Sequence, residues 1–188
     1  MKVGLFFGSF NPVHIGHMII ANYMAENTDL DEVWFVVTPQ NPLKNRRQLL
    51  NEYDRLEMVN LAIDQHPKLR ASDIEFNLPR PSFTVNTLAH LKEKHPGYSF
   101  ALIMGTDTVN TLPKWKNADV ITNDYEIYAY PRPNAELKNP PTNVKVCETP
   151  IMEISASFIR RSIKNGKSVR YFLPDKVLEF IDKWGYYR

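Results

Sequence analysis

Strand and helix signals alternate along this chain. They predict an α/β fold: a doubly wound, mainly parallel sheet with helices on both faces and a short helical C-terminal extension. Two observations carry that prediction. Short continuous apolar runs, such as Val3–Phe7 and Phe100–Met104, read as strands buried on both faces. The segments between them carry apolar residues at helical spacing or open on helix-start signals. The 188 residues suit one domain, 1–188, in which residues 155–188 form the helical extension.

Taken in order, Val3 to Phe7 is a buried strand broken at Gly8, and Met18 to Ala25 is the helix after it. Glu32 to Val37 is a second strand, ended by Thr38-Pro39, and a cationic loop follows from Gln40 to Arg47. Asn51-Glu52-Tyr53-Asp54 resembles a capped helix start with an acidic first turn. Leu56, Val59, Leu61, Ala62 and Ile63 then recur at helical spacing until His66-Pro67. A weaker strand spans Leu69 to Ile74, and the prolines of Phe76 to Ser82 make a loop. Thr84 to Lys94 is a helix. Tyr98 to Met104 is the clearest central strand, ending in Gly105-Thr106-Asp107. Two short helical pieces with Trp115 between them lead to a strand at Glu126 to Tyr130. Prolines 131, 133, 140 and 141 mark a loop or lid, Val144 to Cys147 is a last strand, and Ser155–Lys164 and Pro174–Trp184 are closing helices.

The bulk numbers exclude several classes. A net charge of +2 is too small for a dedicated nucleic-acid binder, and no apolar run is long enough to span a bilayer. The single cysteine, Cys147, rules out an internal disulfide and a cysteine metal cluster, and it reads as a small buried hydrophobe. The start of the chain has no signal-peptide pattern, so cytoplasmic is the expected location. The sequence leaves a homo-oligomer open.

The chemistry concentrates beyond the carboxyl ends of the strands, where open α/β sheets hold ligands. Gly8 to His17 joins a strand to a helix through a glycine turn. There the helix dipole and first-turn amides favour an anion, and His14 and His17 can face the same ligand. Lys44 follows the second strand, competing with Arg46 and Arg47 in a basic loop. Gly105 and Asp107 follow the central strand, with Asp107 a hydrogen-bond acceptor or a simple helix cap. Ile154 to Arg160 opens a late helix, with Ser155 or Ser157 as its cap and Arg160 one turn inside. Two such anion grips plus Lys44 suggest a substrate with several phosphates. The chain has neither Gly-x-Gly-x-x-Gly nor Gly-x-x-x-x-Gly-Lys-Ser/Thr, which excludes a dinucleotide dehydrogenase and a P-loop kinase. His14 and His17 lack an evident third partner for zinc, so no protein-held metal is expected.

His14-Ile15-Gly16-His17 and Ile154-Ser155-Ala156-Ser157-Phe158-Ile159-Arg160 are similar to the paired signatures of the nucleotidyltransferase superfamily. The chain as a whole resembles the bacterial nicotinate-mononucleotide adenylyltransferases. That resemblance extends through Thr38 to Lys44, Pro81 to Leu88, Gly105-Thr106-Asp107 and Leu112-Pro113-Lys114-Trp115. It implies a Rossmann-like fold, with AMP moving from ATP to nicotinate mononucleotide to give deamido-NAD and pyrophosphate, and Mg2+ carried on the ATP phosphates. The implied catalytic set is His14, His17, Arg160 and Lys44. Gly8, Ser9, Phe10, Gly105, Asp107 and Ser157 would complete the ATP site, Asp107 taking a ribose hydroxyl. Lys44 would hold the mononucleotide phosphate, Thr84 the nicotinate carboxylate through its amide, and Trp115 would stack on the pyridinium ring. The chain departs from the usual pattern at Phe7, Asn11 and Lys116. The alternatives are transfer to nicotinamide mononucleotide or phosphopantetheine, a cytidylyltransferase, a piece of an aminoacyl-tRNA synthetase, and a module that binds nucleotide without turnover.

Overall fold

The computed structural model describes residues 1–40 and 49–188. Its elements are β1 (Lys2–Gly8), α1 (Ile15–Asn27), β2 (Glu32–Val37), α2 (Glu52–Ile63), β3 (Leu69–Ser72), α3 (Thr84–Lys94) and β4 (Ser99–Gly105). They continue as α4 (Thr106–Val109), α5 (Ala118–Asp124), β5 (Ile127–Tyr130), β6 (Val144–Val146), α6 (Ala156–Lys164) and α7 (Asp175–Trp184). One sheet holds all six strands in the order β3-β2-β1-β4-β5-β6, and each neighbouring pair is parallel. Winding reverses between β1 and β4, which creates a crevice beyond their carboxyl ends.

The apolar runs alternate between two cores. Val3 and Leu5 of β1 face one layer with Leu102 and Met104 of β4, and α3, α4 and α5 supply Leu88, Leu91, Val109 and Ile121. Phe6, Phe35 and Ile103 face the other layer, built by α1, α2, α6 and α7 through Met24, Met58, Ile159 and Val177. Strand side chains alternate, so a run apolar at every position is what a sheet covered on both faces requires. Residues 155–188 pack into the layer of α1 and α2, since Ile159, Val169, Leu173, Val177 and Ile181 are all buried there.

At the amino ends of the strands, the Lys2 ammonium donates to Asp29 (2.7 Å), to the Tyr128 hydroxyl (2.8 Å) and to Glu126. Lys145 adds an ion pair to Glu126 at 3.1 Å. This charged knot ties β1 to β5 and β6, and it lies opposite the crevice.

Several element ends fall a residue or more from expectation, and three differences matter. The first helix starts at Ile15, earlier than Met18, so His14 is its N-cap and His17 sits in its first turn. β3 ends at Ser72 because a turn closes there, the Phe76 amide donating to the Asp73 carbonyl at 2.8 Å. Cys147 is half-buried, not buried: it follows the edge strand β6, so one side of it meets solvent. No helix among the described residues is long and apolar enough to cross a membrane.

Candidate active site

A cavity of about 520 Å³ opens at the crevice between β1 and β4. Among the described residues its walls come from the end of β1 and the turn into α1, from Leu49, from Asp107 and Thr108, from Tyr130 at the end of β5 with Arg132 beyond it, and from residues 152–160 leading into α6. Two helix N-termini, of α1 and α6, therefore face one space, and their first-turn amides favour negative charge.

The β1 turn is held tightly. Phe10 has a left-handed backbone (φ 44) and its ring is buried, 2% exposed. A Cβ on Gly8 would lie 2.7 Å from that ring, so glycine is required here to seat Phe10. Gly8 still lines the cavity, but its missing side chain is taken up by the protein's own ring. Any contribution of Phe10 to a ligand comes from its backbone.

His14 and His17 stack face to face, ring centroids 3.7 Å apart and 22° from parallel. The His14 amide donates to Nδ1 of His17 at 3.2 Å. A nitrogen that accepts carries no proton, so neutral His17 holds its proton on Nε2. His14 is 5% exposed, and burial, aided by the positive charge of Arg132, pulls its pKa down to about 4. At neutral pH it is an uncharged ring whose Nδ1 has no hydrogen-bond partner among the described residues.

Among the described residues that line the cavity, the positive charge comes from two arginines. Arg160 donates one guanidinium N–H to the Asn11 carbonyl at 2.7 Å and another to Ser157 Oγ at 3.3 Å. Ser155 is the cap of α6, accepting from the Phe158 amide at 3.2 Å, which leaves the exposed Ser157 for Arg160 or a ligand. Arg132 lies 3.8 Å from Asp107 and donates its amide to Thr106 Oγ1 at 3.0 Å. A Cβ on Gly105 would sit 2.5 Å from Asp107 Oδ1 and 2.7 Å from Arg132 Cγ, so this glycine makes room for the Asp107–Arg132 pair. Asp107 is the only acid among the described residues that line the cavity. Burial also pushes the Tyr130 hydroxyl up to about 12, keeping it a donor.

The comparisons meet this geometry from outside. Residues 5–162 match the family model described as cytidylyltransferase-like. Proteins named probable nicotinate-nucleotide adenylyltransferase are similar over the full chain. The one from Flavobacterium psychrophilum is 55% identical over 192 residues, covering 100% of both chains. The one from Flavobacterium johnsoniae is 53% identical, also covering 100% of both.

The chain belongs to the nicotinate-nucleotide adenylyltransferases.

Its fold is that of the family too. The Plasmodium falciparum nicotinic acid mononucleotide adenylyltransferase complexed with NaAD superposes with a TM-score of 0.85 at 18% identity, over 99% of this chain and 97% of that one. The same enzyme complexed with APC gives 0.84 at 17% identity, over 99% and 96%.

Of the residues singled out for this family member, Gly8, Ser9, Phe10, His14, His17, Asp107, Ser157 and Arg160 line the one cavity. Gly105 lies just behind it as the N-cap of α4. Thr84 and Trp115 do not line it. Thr84 opens α3, whose N-cap Phe83 gives no side-chain cap, and Trp115 is half-buried against the α3–α5 layer. The departure at Lys116 joins these two elements, since its ammonium sits 4.6 Å over the Phe83 ring. Lys44 lies outside the described residues. Arg132 was hidden in the proline-rich loop after β5. Its place at the carboxyl end of a strand beside the crevice was the available signal. Among the described residues no three His, Cys, Asp or Glu side chains converge as a metal cage.

Proposed function

We propose that this chain transfers AMP from ATP to nicotinate mononucleotide, releasing pyrophosphate and forming deamido-NAD, with the triphosphate in the cavity between β1 and β4. One observation carries the reading: two helix N-termini, two stacked imidazoles and two arginines converge on a single crevice. The full-length similarity to proteins of that name supports the choice of acceptor.

The acceptor phosphate is already a nucleophile, so no side chain has to be activated. One of its oxygens bonds the ATP α-phosphorus while the bond to the bridging oxygen of the β-phosphate breaks, and that electron pair leaves with pyrophosphate. The protein aligns the attack and balances charge. Nε2–H of His17 donates to a phosphate oxygen, and His14 beside it binds the same group. Arg160 and Ser157 take the outer phosphates, with Arg132 adding charge from the far wall. Asp107 accepts from a ribose hydroxyl. Lys44 holds the acceptor phosphate, Thr84 the nicotinate carboxylate and Trp115 the ring.

The donor set suits a magnesium ion that arrives on the triphosphate, because among the described residues Asp107 alone offers a carboxylate at the cavity. Bound there, the ion supplies charge neutralisation on the phosphates. The absence of a long apolar helix among the described residues, together with a lone cysteine, supports work in the cytoplasm.

The test is pyrophosphate release from ATP and Mg2+ with nicotinate mononucleotide, nicotinamide mononucleotide or phosphopantetheine as acceptor. Strong preference for the nicotinate acceptor is expected. Turnover with another acceptor alone overturns the acceptor assignment, and no turnover with any overturns catalysis.

A further inference from the structure

The segment after α7 folds back onto the β1 turn, where it meets Asn11, a residue that lines the cavity. α7 ends at Gly185, which takes the left-handed conformation (φ 66). Tyr187 is left-handed as well (φ 65), which a non-glycine residue adopts at a cost. That backbone brings its hydroxyl to Asn11, to which it donates at 2.8 Å on Oδ1. The partners are 176 residues apart in sequence.

Asn11 is a junction. It is 3% exposed and sits between the left-handed Phe10 and Pro12. Its side-chain oxygen accepts from Tyr187 and, at 3.3 Å, from the Leu50 amide. Its main-chain carbonyl accepts from Arg160 at 2.7 Å. Rotation of the Asn11 side chain or peptide therefore moves the carbonyl that aims Arg160. Burial raises the Tyr187 hydroxyl far above its ordinary range, against the opposing charges of Arg160 and Arg55, so it stays a donor at every physiological pH.

We propose that Tyr187 is a positioning residue for the triphosphate site: its hydroxyl fixes Asn11, and through the Asn11 carbonyl it sets the aim of Arg160 into the cavity. The inference rests on ATP being the ligand of that cavity. Tyr187 is not among the residues that line the cavity, so its effect is on how the site is presented. Removing the hydroxyl takes one donor from the Asn11 oxygen and lets the turn relax, which weakens the ATP grip while the acceptor side, built from other segments, is left as it was.

Tyr187→Phe removes one oxygen and keeps the ring packing. Steady-state kinetics and titration with a non-hydrolysable ATP analogue are compared for wild type, Tyr187→Phe, Asn11→Ala and the double variant, all at a temperature where melting curves show them folded. The expected result for Tyr187→Phe is a rise of about 5- to 10-fold in KM for ATP and in analogue Kd, with KM for the mononucleotide unchanged. The double variant should be no worse than Asn11→Ala, since both changes break one link. Unchanged ATP constants in Tyr187→Phe, a lowered Tm as its only effect, or additive losses in the double variant each overturn the proposal. A wild-type protein that binds no ATP analogue overturns the reading of the cavity itself.

Discussion

The guanidinium of Arg55 donates to the main-chain carbonyl of Ser9 at 2.6 Å, from a helix 46 residues further along the chain. Arg55 is fully buried, and its other acceptors are the carbonyls of Thr38 (2.8 Å), Pro39 (3.2 Å) and Leu50 (3.0 Å). One side chain thus binds the ends of β1 and β2 to the start of α2. A buried charge spread over four carbonyl dipoles is satisfied only while all four stay in place.

Arg55→Ala should therefore be among the most destabilising single changes, because it orphans buried carbonyls and leaves a cavity. A loss of about 3 to 5 kcal/mol is expected from such a defect. Urea unfolding measures it, and a loss below about 1 kcal/mol contradicts the clamp.

His17→Ala removes the Nε2 donor at the first turn of α1. Turnover should fall by about 10²- to 10³-fold, as for loss of one aligned donor to developing charge. The melting temperature should change little, because His17 is only partly buried. Wild-type turnover in this variant removes the residue from the mechanism.

His14 makes stability depend on pH. Its pKa falls from 6.5 in the unfolded chain to about 4 in the folded one, so acid protonates the unfolded state first. Its contribution is whole above about pH 6.5 and is lost as pH falls toward 4, by up to about 3 kcal/mol. Unfolding free energies measured across that window should show the slope in wild type and a flatter line in His14→Gln. Equal slopes would refute it.

Glu75 acts with the opposite sign. Its carboxyl is 2% exposed and accepts from Thr87 Oγ1 at 2.7 Å, and burial raises its pKa. The folded state keeps a proton that the unfolded chain has already released, so stability is highest near the ordinary carboxylate range and falls as pH rises above it. Glu75→Gln should gain on wild type as pH rises above the ordinary carboxylate range in the same unfolding assay. A constant difference across the range would show an ionised Glu75.

Gly105→Ala places a methyl group against Asp107 and Arg132. KM for ATP should rise several-fold while KM for the mononucleotide holds. A shift confined to the mononucleotide would assign this wall to the acceptor.

The six strands, the two face-covering layers and the crevice were legible because they rest on short-range periodicity and on local signals such as the glycine turn at Gly8. The residues that hold the crevice in shape were not. Arg55 lies inside a run of apolar spacing and carries no mark in the chain. Its four acceptors meet only once β1 and β2 pair in parallel register. Arg132 sat among prolines, and Tyr187 in an aromatic tail, each meaningful only through a partner far away. Gly8 was legible as a special position, but its reason, the packing of Phe10, needed three dimensions.

The bond from Arg160 to Asn11 spans 149 residues. During synthesis, β1 and the turn after it leave the ribosome long before α6 exists to complete the cavity. β1 must also wait for β4, its parallel partner, before it is covered on both edges. The nascent chain therefore has no complete cavity until nearly all of it has emerged, and a ligand of that cavity can stabilise only the finished product. Catalytic activity in this protein is for that reason a direct count of completely folded molecules.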